Sequence, residues 1–107
     1  IGSVEGKNVI MVDDIIDTGN TLCKASNLMM EKGAKSVRAF CTHPVLSGKA
    51  YDTVLNSSLT ELVVTDTIPL TSKNEKIKVL SVAKLFATAI RNTHENKSIN
   101  SLFIKNN

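Results

Sequence analysis

The segment Val9–Thr21, Val-Ile-Met-Val-Asp-Asp-Ile-Ile-Asp-Thr-Gly-Asn-Thr, limits what this chain can fold into more than any other stretch. Val9, Ile10, Met11 and Val12 form a short continuous apolar run, the pattern of a parallel strand buried on both faces. Asp13 and Asp14 are expected at its carboxyl end. Thr18-Gly19-Asn20-Thr21 then gives a small polar turn, and Leu22, Ala25, Ser26, Met29 and Met30 mark one face of the helix after it. Open α/β sheets bind their ligands at such strand-to-helix turns.

The same alternation continues downstream, which predicts a parallel α/β sheet flanked by helices. Gly33 fits the residue just past the first helix. Val37–Thr42 reads as a second strand, and Ser47 as the cap of a short helix with Ala50, Tyr51, Val54 and Leu55 on one face. Leu62–Thr65 and Ile77–Leu80 are the third and fourth strands. Ser81 is placed to cap a last helix whose Val82, Leu85, Phe86, Ala89 and Ile90 form the stripe of a helix lying on a sheet. His94 falls near its end, where the helix dipole favours it. Asn92–Asn107 is polar, and residues 96–107 are expected to fray, although Leu102, Phe103 and Ile104 call for an apolar partner.

The first turn has a definite chemistry. A phosphate needs several donors in one place, and the free N–H groups at a helix start supply them together with the positive end of the helix dipole. Gly19 lets the backbone approach, and Thr18 and Thr21 add hydroxyls. Asp13 and Asp14 repel phosphate, but ionised carboxylates accept hydrogen bonds and suit vicinal sugar hydroxyls or a magnesium-bound oxygen. Asp17 lies between the halves, able to cap the turn or to accept a proton. A ligand with hydroxyls at one end and phosphate at the other fits both.

Composition narrows the class. With 107 residues the chain can form one small domain with a modest core, and its start at Ile1 reads as a piece of a longer protein. The net charge is +3, but the 13 basic residues are spread along the chain and only four residues are aromatic, which argues against a nucleic-acid surface. No run approaches the ~18 apolar residues of a membrane span. Cys23 and Cys41 read as buried, reduced thiols of a cytoplasmic protein. Cys41 and His43 are two candidate metal ligands where a structural zinc site needs four, so no metal site is expected. Asp66 and Thr67 follow the third strand, where they could reach a ligand or cap a turn. Lys73, Lys76 and Lys78 read as a solvated face.

Val9–Thr21 resembles the phosphoribosyl-diphosphate signature of the phosphoribosyltransferase fold. Thr42-His43-Pro44-Val45-Leu46-Ser47-Gly48, Thr65-Asp66-Thr67-Ile68-Pro69-Leu70 and Lys76–Ala87 resemble, in the same order, the C-terminal part of the ribose-phosphate diphosphokinases. The resemblance runs from Gly6 to Ile104, about the last third of that family's subunit. It implies a type I phosphoribosyltransferase-like fold, here an incomplete C-terminal portion, with 1–107 as a ribose 5-phosphate-binding domain fragment. It further implies diphosphoryl transfer from ATP to ribose 5-phosphate with magnesium, for nucleotide biosynthesis, in a homo-oligomer. Asp13 and Asp14 would hold ring hydroxyls, and Asp17, Thr18, Gly19, Asn20 and Thr21 the 5-phosphate. Catalytic and ATP-binding groups would lie upstream, leaving none in this fragment, which alone would be inactive. Asn20 stands where the resemblance implies a second glycine or an Ala-Gly arrangement, and Asn tolerates positive φ best among the other residues.

Three other functions use similar parts. A base-transferring phosphoribosyltransferase, or a non-catalytic regulator that binds phosphoribosyl diphosphate, would share the Val9–Thr21 site, and only the downstream motifs separate them. A signalling receiver domain also begins with a strand ending in paired acids, with Asp66 as its phosphoacceptor. It needs no anion cradle at its first helix, which the Asp-Thr-Gly turn supplies.

Overall fold

The computed structural model describes residues 2–103. Strand β1 spans Asn8–Ile16, β2 Ser36–Pro44, β3 Glu61–Thr65 and β4 Ile77–Leu80, and the helices are α1 (Asn20–Glu31), α2 (Ala50–Asn56) and α3 (Ala83–His94). A 3₁₀ turn follows at Asn100–Leu102. The four strands form one sheet in the order β1-β2-β3-β4, every neighbouring pair parallel. Helices α1 and α2 connect β1 to β2 and β2 to β3. Right-handed crossovers that step in one direction along a sheet leave their helices on one face.

The burial pattern follows from that topology. Val37, Ala39 and Cys41 of β2, Leu62 and Val64 of β3, and Ile77 of β4 are buried at alternate positions. They pack with Cys23 of α1, Ala50 and Val54 of α2, and Leu46 and Leu59 from loops. Each such Leu or Val contributes about 1.5–3 kcal/mol by leaving water. The hydroxyl of the fully buried Ser26 donates to the Cys23 carbonyl at 2.8 Å. Helix α1 stops where Gly33 takes φ +93, with the Ala34 N–H on the Met29 carbonyl and the Gly33 N–H on that of Met30. This paired 6→1 and 5→2 closure is the one expected for a glycine just past the helix.

Several expectations are corrected. Strand β1 is not buried on both faces: it is an edge strand, with Val9 and Met11 half-buried toward the helices while Ile10 and Val12 are 62% and 81% exposed. No helix of the described residues covers that second face. β1 also runs on through Asp13 and Asp14 to Ile16, pairing Asp13 with Cys41 and Ile16 with Pro44, so the acids stand within the strand. Helix α3 does not lie on the sheet. None of its residues is buried, and Leu85, Phe86 and Ile90 are 43%, 49% and 69% exposed. Its stripe has the right period, but the β3–β4 connection carries no helix and α3 leaves from the sheet's edge strand. Lys76 is not part of a solvated face, since its Nζ donates to the Ser57 carbonyl at 2.6 Å and closes the end of α2. Ile104 lies outside the described residues; Leu102 is half-buried and Phe103 exposed.

Candidate functional site

A cleft of about 330 Å³ opens where β1 gives way to α1. Asp13, Asp17, Thr18, Gly19, Asn20 and Thr21 line it, with Ile15, Ile16, Leu22, Ala39, Phe40 and Cys41. Gly19 is the residue before the helix and has φ +77. The first helical bond runs from the Cys23 N–H to the Gly19 carbonyl at 2.9 Å, so the N–H groups of the first turn have no acceptor within the helix. The N-cap residue, Gly19, has no side chain with which to cap this helix. The nearest approach is the Thr18 hydroxyl oxygen, 3.4 Å from the Asn20 N–H. A concave set of backbone donors at the positive end of a twelve-residue helix is a place for an anion.

Of the seven residues expected to bind ligand, six line this cleft. Asp14 is the exception. Successive residues of a strand point to opposite faces, so Asp13 shares a face with Val9 and Met11 and turns toward the cleft, while Asp14 joins Ile10 and Val12 on the open face. The Asp13 carboxylate also accepts the Asp14 N–H at 2.8 Å. Asn20 is the first residue of α1 and its φ is not positive, so the turn needs no second glycine there.

The loop after β2 closes one side of the turn. The Leu46 N–H donates to the Ile16 carbonyl at 3.1 Å and the Ser47 N–H to the Asp17 carbonyl at 3.0 Å. The Ser47 hydroxyl donates to Asp17 Oδ1. Ser47 therefore does not cap α2, and Asp17 does not cap α1, because each side chain is engaged with the other. Leu46 takes φ +50, held there by its buried side chain. The resemblance places the loop from His43 to Gly48 at the rim of the site, but the sequence does not disclose this latch, since Ser47 alone reads as a helix cap.

The remaining polar groups at this end of the sheet have structural partners. Asp66 accepts the Ser81 hydroxyl at 2.6 Å and the Val82 N–H at 2.8 Å, which hold its carboxyl below the usual range. Ser81 in turn takes the Ala83 N–H at 3.3 Å, so the start of α3 is capped through the pair. His43 Nδ1 lies 2.9 Å from the Thr67 hydroxyl, and Thr65 and Thr67 both donate to the Thr42 carbonyl. Burial pushes both thiols up, Cys23 against a hydrogen bond from Ser57 and the Lys76 charge, Cys41 against main-chain hydrogen bonds at His43 and Ile16. Burial and the upward shift both disfavour the thiolate form that a nucleophilic cysteine uses.

Fold and cleft together define an open parallel α/β unit with a glycine-containing cleft at the first strand-to-helix junction. The chain belongs to the family described as the phosphoribosyl synthetase-associated domain, whose model matches residues 1–104. It is 60% identical over 104 residues to the ribose-phosphate pyrophosphokinase of Campylobacter jejuni, covering 97% of this chain and 34% of that protein. The enzyme of the same name from Bacillus subtilis is 50% identical over 105 residues, 96% of this chain and 33% of the relative. A crystal structure of phosphoribosylpyrophosphate synthetase from Mycobacterium smegmatis matches with a TM-score of 0.86 and 43% identity, over 90% of this chain and 33% of that one. The chain thus spans about a third of the length of the relatives it matches. These relatives carry the name that the four motifs implied, not that of a base-transferring phosphoribosyltransferase, a regulator or a receiver domain.

Proposed function

We propose that this chain is the C-terminal, ribose 5-phosphate-binding part of a ribose-phosphate diphosphokinase. The intact enzyme would transfer the β,γ-diphosphoryl group of ATP to the anomeric hydroxyl of ribose 5-phosphate, giving phosphoribosyl diphosphate and AMP. The observation that carries the reading is the pairing of a free helix start at Gly19–Leu22 with the Asp13 carboxylate across one cleft. The first offers donors to the 5-phosphate and the second an acceptor to ring hydroxyls. Transfer of this kind rests on positioning and charge stabilisation, so the part of this domain is to hold the sugar still while ATP is presented by the rest of the enzyme.

Magnesium, when bound, would neutralise charge on the diphosphoryl group. It takes one or two carboxylates plus substrate oxygens, and Asp13, the exposed acid of the pair that lines the cleft, would be the one to hold it. ATP as second substrate, a homo-oligomeric enzyme and a cytoplasmic location belong to the same proposal. The free thiols of Cys23 and Cys41 suit a reducing compartment, and among the described residues no helix is long and apolar enough to cross a membrane.

Calorimetry with ribose 5-phosphate and with inorganic phosphate tests the division of labour. Asp13→Asn should lower affinity for the sugar phosphate roughly tenfold, the scale of a hydrogen bond to a charged group, and leave phosphate affinity nearly unchanged. Equal losses for the two ligands, or sugar bound away from Thr18–Thr21, would overturn the assignment.

A further inference from the structure

We propose that Ser47 is a positioning residue of the phosphate-binding turn: it draws the Asp17 carboxylate into the β2–α2 loop and keeps an internal anion off the backbone donors that a substrate phosphate must use. The inference rests on the ribose 5-phosphate reading of this cleft and gives that site a residue from outside the Val9–Thr21 segment.

The argument starts from what an aspartate does at this place in a chain. Its short side chain hydrogen-bonds readily to the N–H two residues on, which for Asp17 is that of Gly19. Gly19 immediately precedes α1, so an Asp17 carboxylate turned that way would put a negative charge at the positive end of the helix and occupy the concavity. A bound phosphate would then have to displace it. Instead the Ser47 hydroxyl donates to Asp17 Oδ1, while the Ser47 N–H donates to the Asp17 carbonyl at 3.0 Å. Two bonds from one residue fix both the side chain and the backbone of Asp17. The next residue back is fixed as well, by the Leu46 N–H on the Ile16 carbonyl at 3.1 Å.

The loop is built to hold that pose. Leu46 sits at φ +50, where a branched side chain costs about 1–2 kcal/mol. That conformation persists because its side chain is 5% exposed, in the same core as Ile16, Cys23 and Val54. A strained backbone held by a buried anchor places the next residue, Ser47, within reach of Asp17. Among the described residues the only side-chain acceptor for a first-turn donor of α1 is the Thr18 hydroxyl, at 3.4 Å from the Asn20 N–H, which leaves the Thr21 and Leu22 N–H groups to an external anion.

The test uses this 107-residue chain. Ser47→Ala removes the hydroxyl and keeps the N–H, so both backbone bonds of the loop survive. It should weaken binding of ribose 5-phosphate and of inorganic phosphate roughly tenfold each, the scale of a charge-assisted hydrogen bond, and Ser47→Thr should restore both. In an Asp17→Ala background the same Ser47→Ala change should have less than about a twofold effect, because the competing anion is gone. NMR supplies a readout that needs no ligand: the Gly19 amide should move downfield in Ser47→Ala and return in Ser47→Ala/Asp17→Ala. Unchanged phosphate affinity with an unmoved Gly19 amide would overturn the latch, as would an equal loss of affinity with and without Asp17. A chain that binds no ribose 5-phosphate would overturn the reading of the cleft, and the Gly19 amide would still decide whether Ser47 restrains Asp17.

Discussion

At φ +77 Gly19 occupies a backbone region that costs an L residue about 1–2 kcal/mol, and the carbonyl that starts α1 depends on its keeping that conformation. A Cβ built there would meet Ile16 Cδ1 at 3.6 Å, Val54 Cγ2 at 3.8 Å and Cys23 Sγ at 3.9 Å, all ordinary contacts. Space is therefore available, and the demand for glycine comes from the dihedral. Gly19→Ala should lower stability by about 1–2 kcal/mol in urea denaturation, and Gly19→Asn by less, because Asn enters the left-handed region more easily. A loss well above that range for alanine would mean that a clash is responsible. The contrast with Asn20 sharpens the point. The neighbouring residue is the first of the helix, has no positive φ and lines the same cleft.

Among the elements, α3 depends most on a single side chain for its start. Asp66 joins the Ser81 hydroxyl and the Val82 N–H across the β3–β4 edge, and these hydrogen bonds lower its pKa from the ordinary 3.8. A carboxyl lowered in the folded state stabilises it fully above its unfolded value and loses that contribution as pH falls through the folded value. Amide protection at Val82 and Ala83, measured by NMR, should thus hold from neutral pH down to about 3.8 and fall below it. In Asp66→Asn the fall should vanish; a fall that persists would assign it to another carboxyl. The elements themselves were largely legible: β4 keeps the bounds read from Ile77–Leu80, and Gly33 ends α1 as its position implied. Local pattern suffices where residues meet neighbours in sequence. It fails where the partner is distant, since a continuous apolar run such as Val9–Val12 does not tell an edge strand from a central one, and the Val82–Ile90 stripe does not name what covers it. The polar side of the cleft was legible for the same reason, since Asp13–Thr21 is one contiguous segment; the wall from Ala39, Phe40 and Cys41, and Ser47, 30 residues beyond Asp17, were not.

For the whole molecule the decisive fact is how one-sided the sheet is. Parallel sheets are covered on both faces, yet here Ile10, Val12 and Leu80 are open to solvent on the face away from α1 and α2, and β1 is an edge. The cleft borders that edge at Asp13. Among the described residues no basic side chain lines the cleft to neutralise the charge spread over a transferring diphosphoryl group. Removing one such electrostatic contact commonly costs ~100-fold or more in rate, and a site lacking all of them should give no detectable turnover. The assay is AMP formation from ATP with magnesium, with and without ribose 5-phosphate, run on this 107-residue chain and on the Campylobacter jejuni ribose-phosphate pyrophosphokinase, of which it matches 34%. The longer protein should show ribose-dependent AMP release, and this chain should bind the sugar phosphate without releasing AMP. Ribose-dependent turnover by the chain at a rate near that of the relative would place catalytic groups within residues 1–107, and the cleft at Gly19 would then have to contain them.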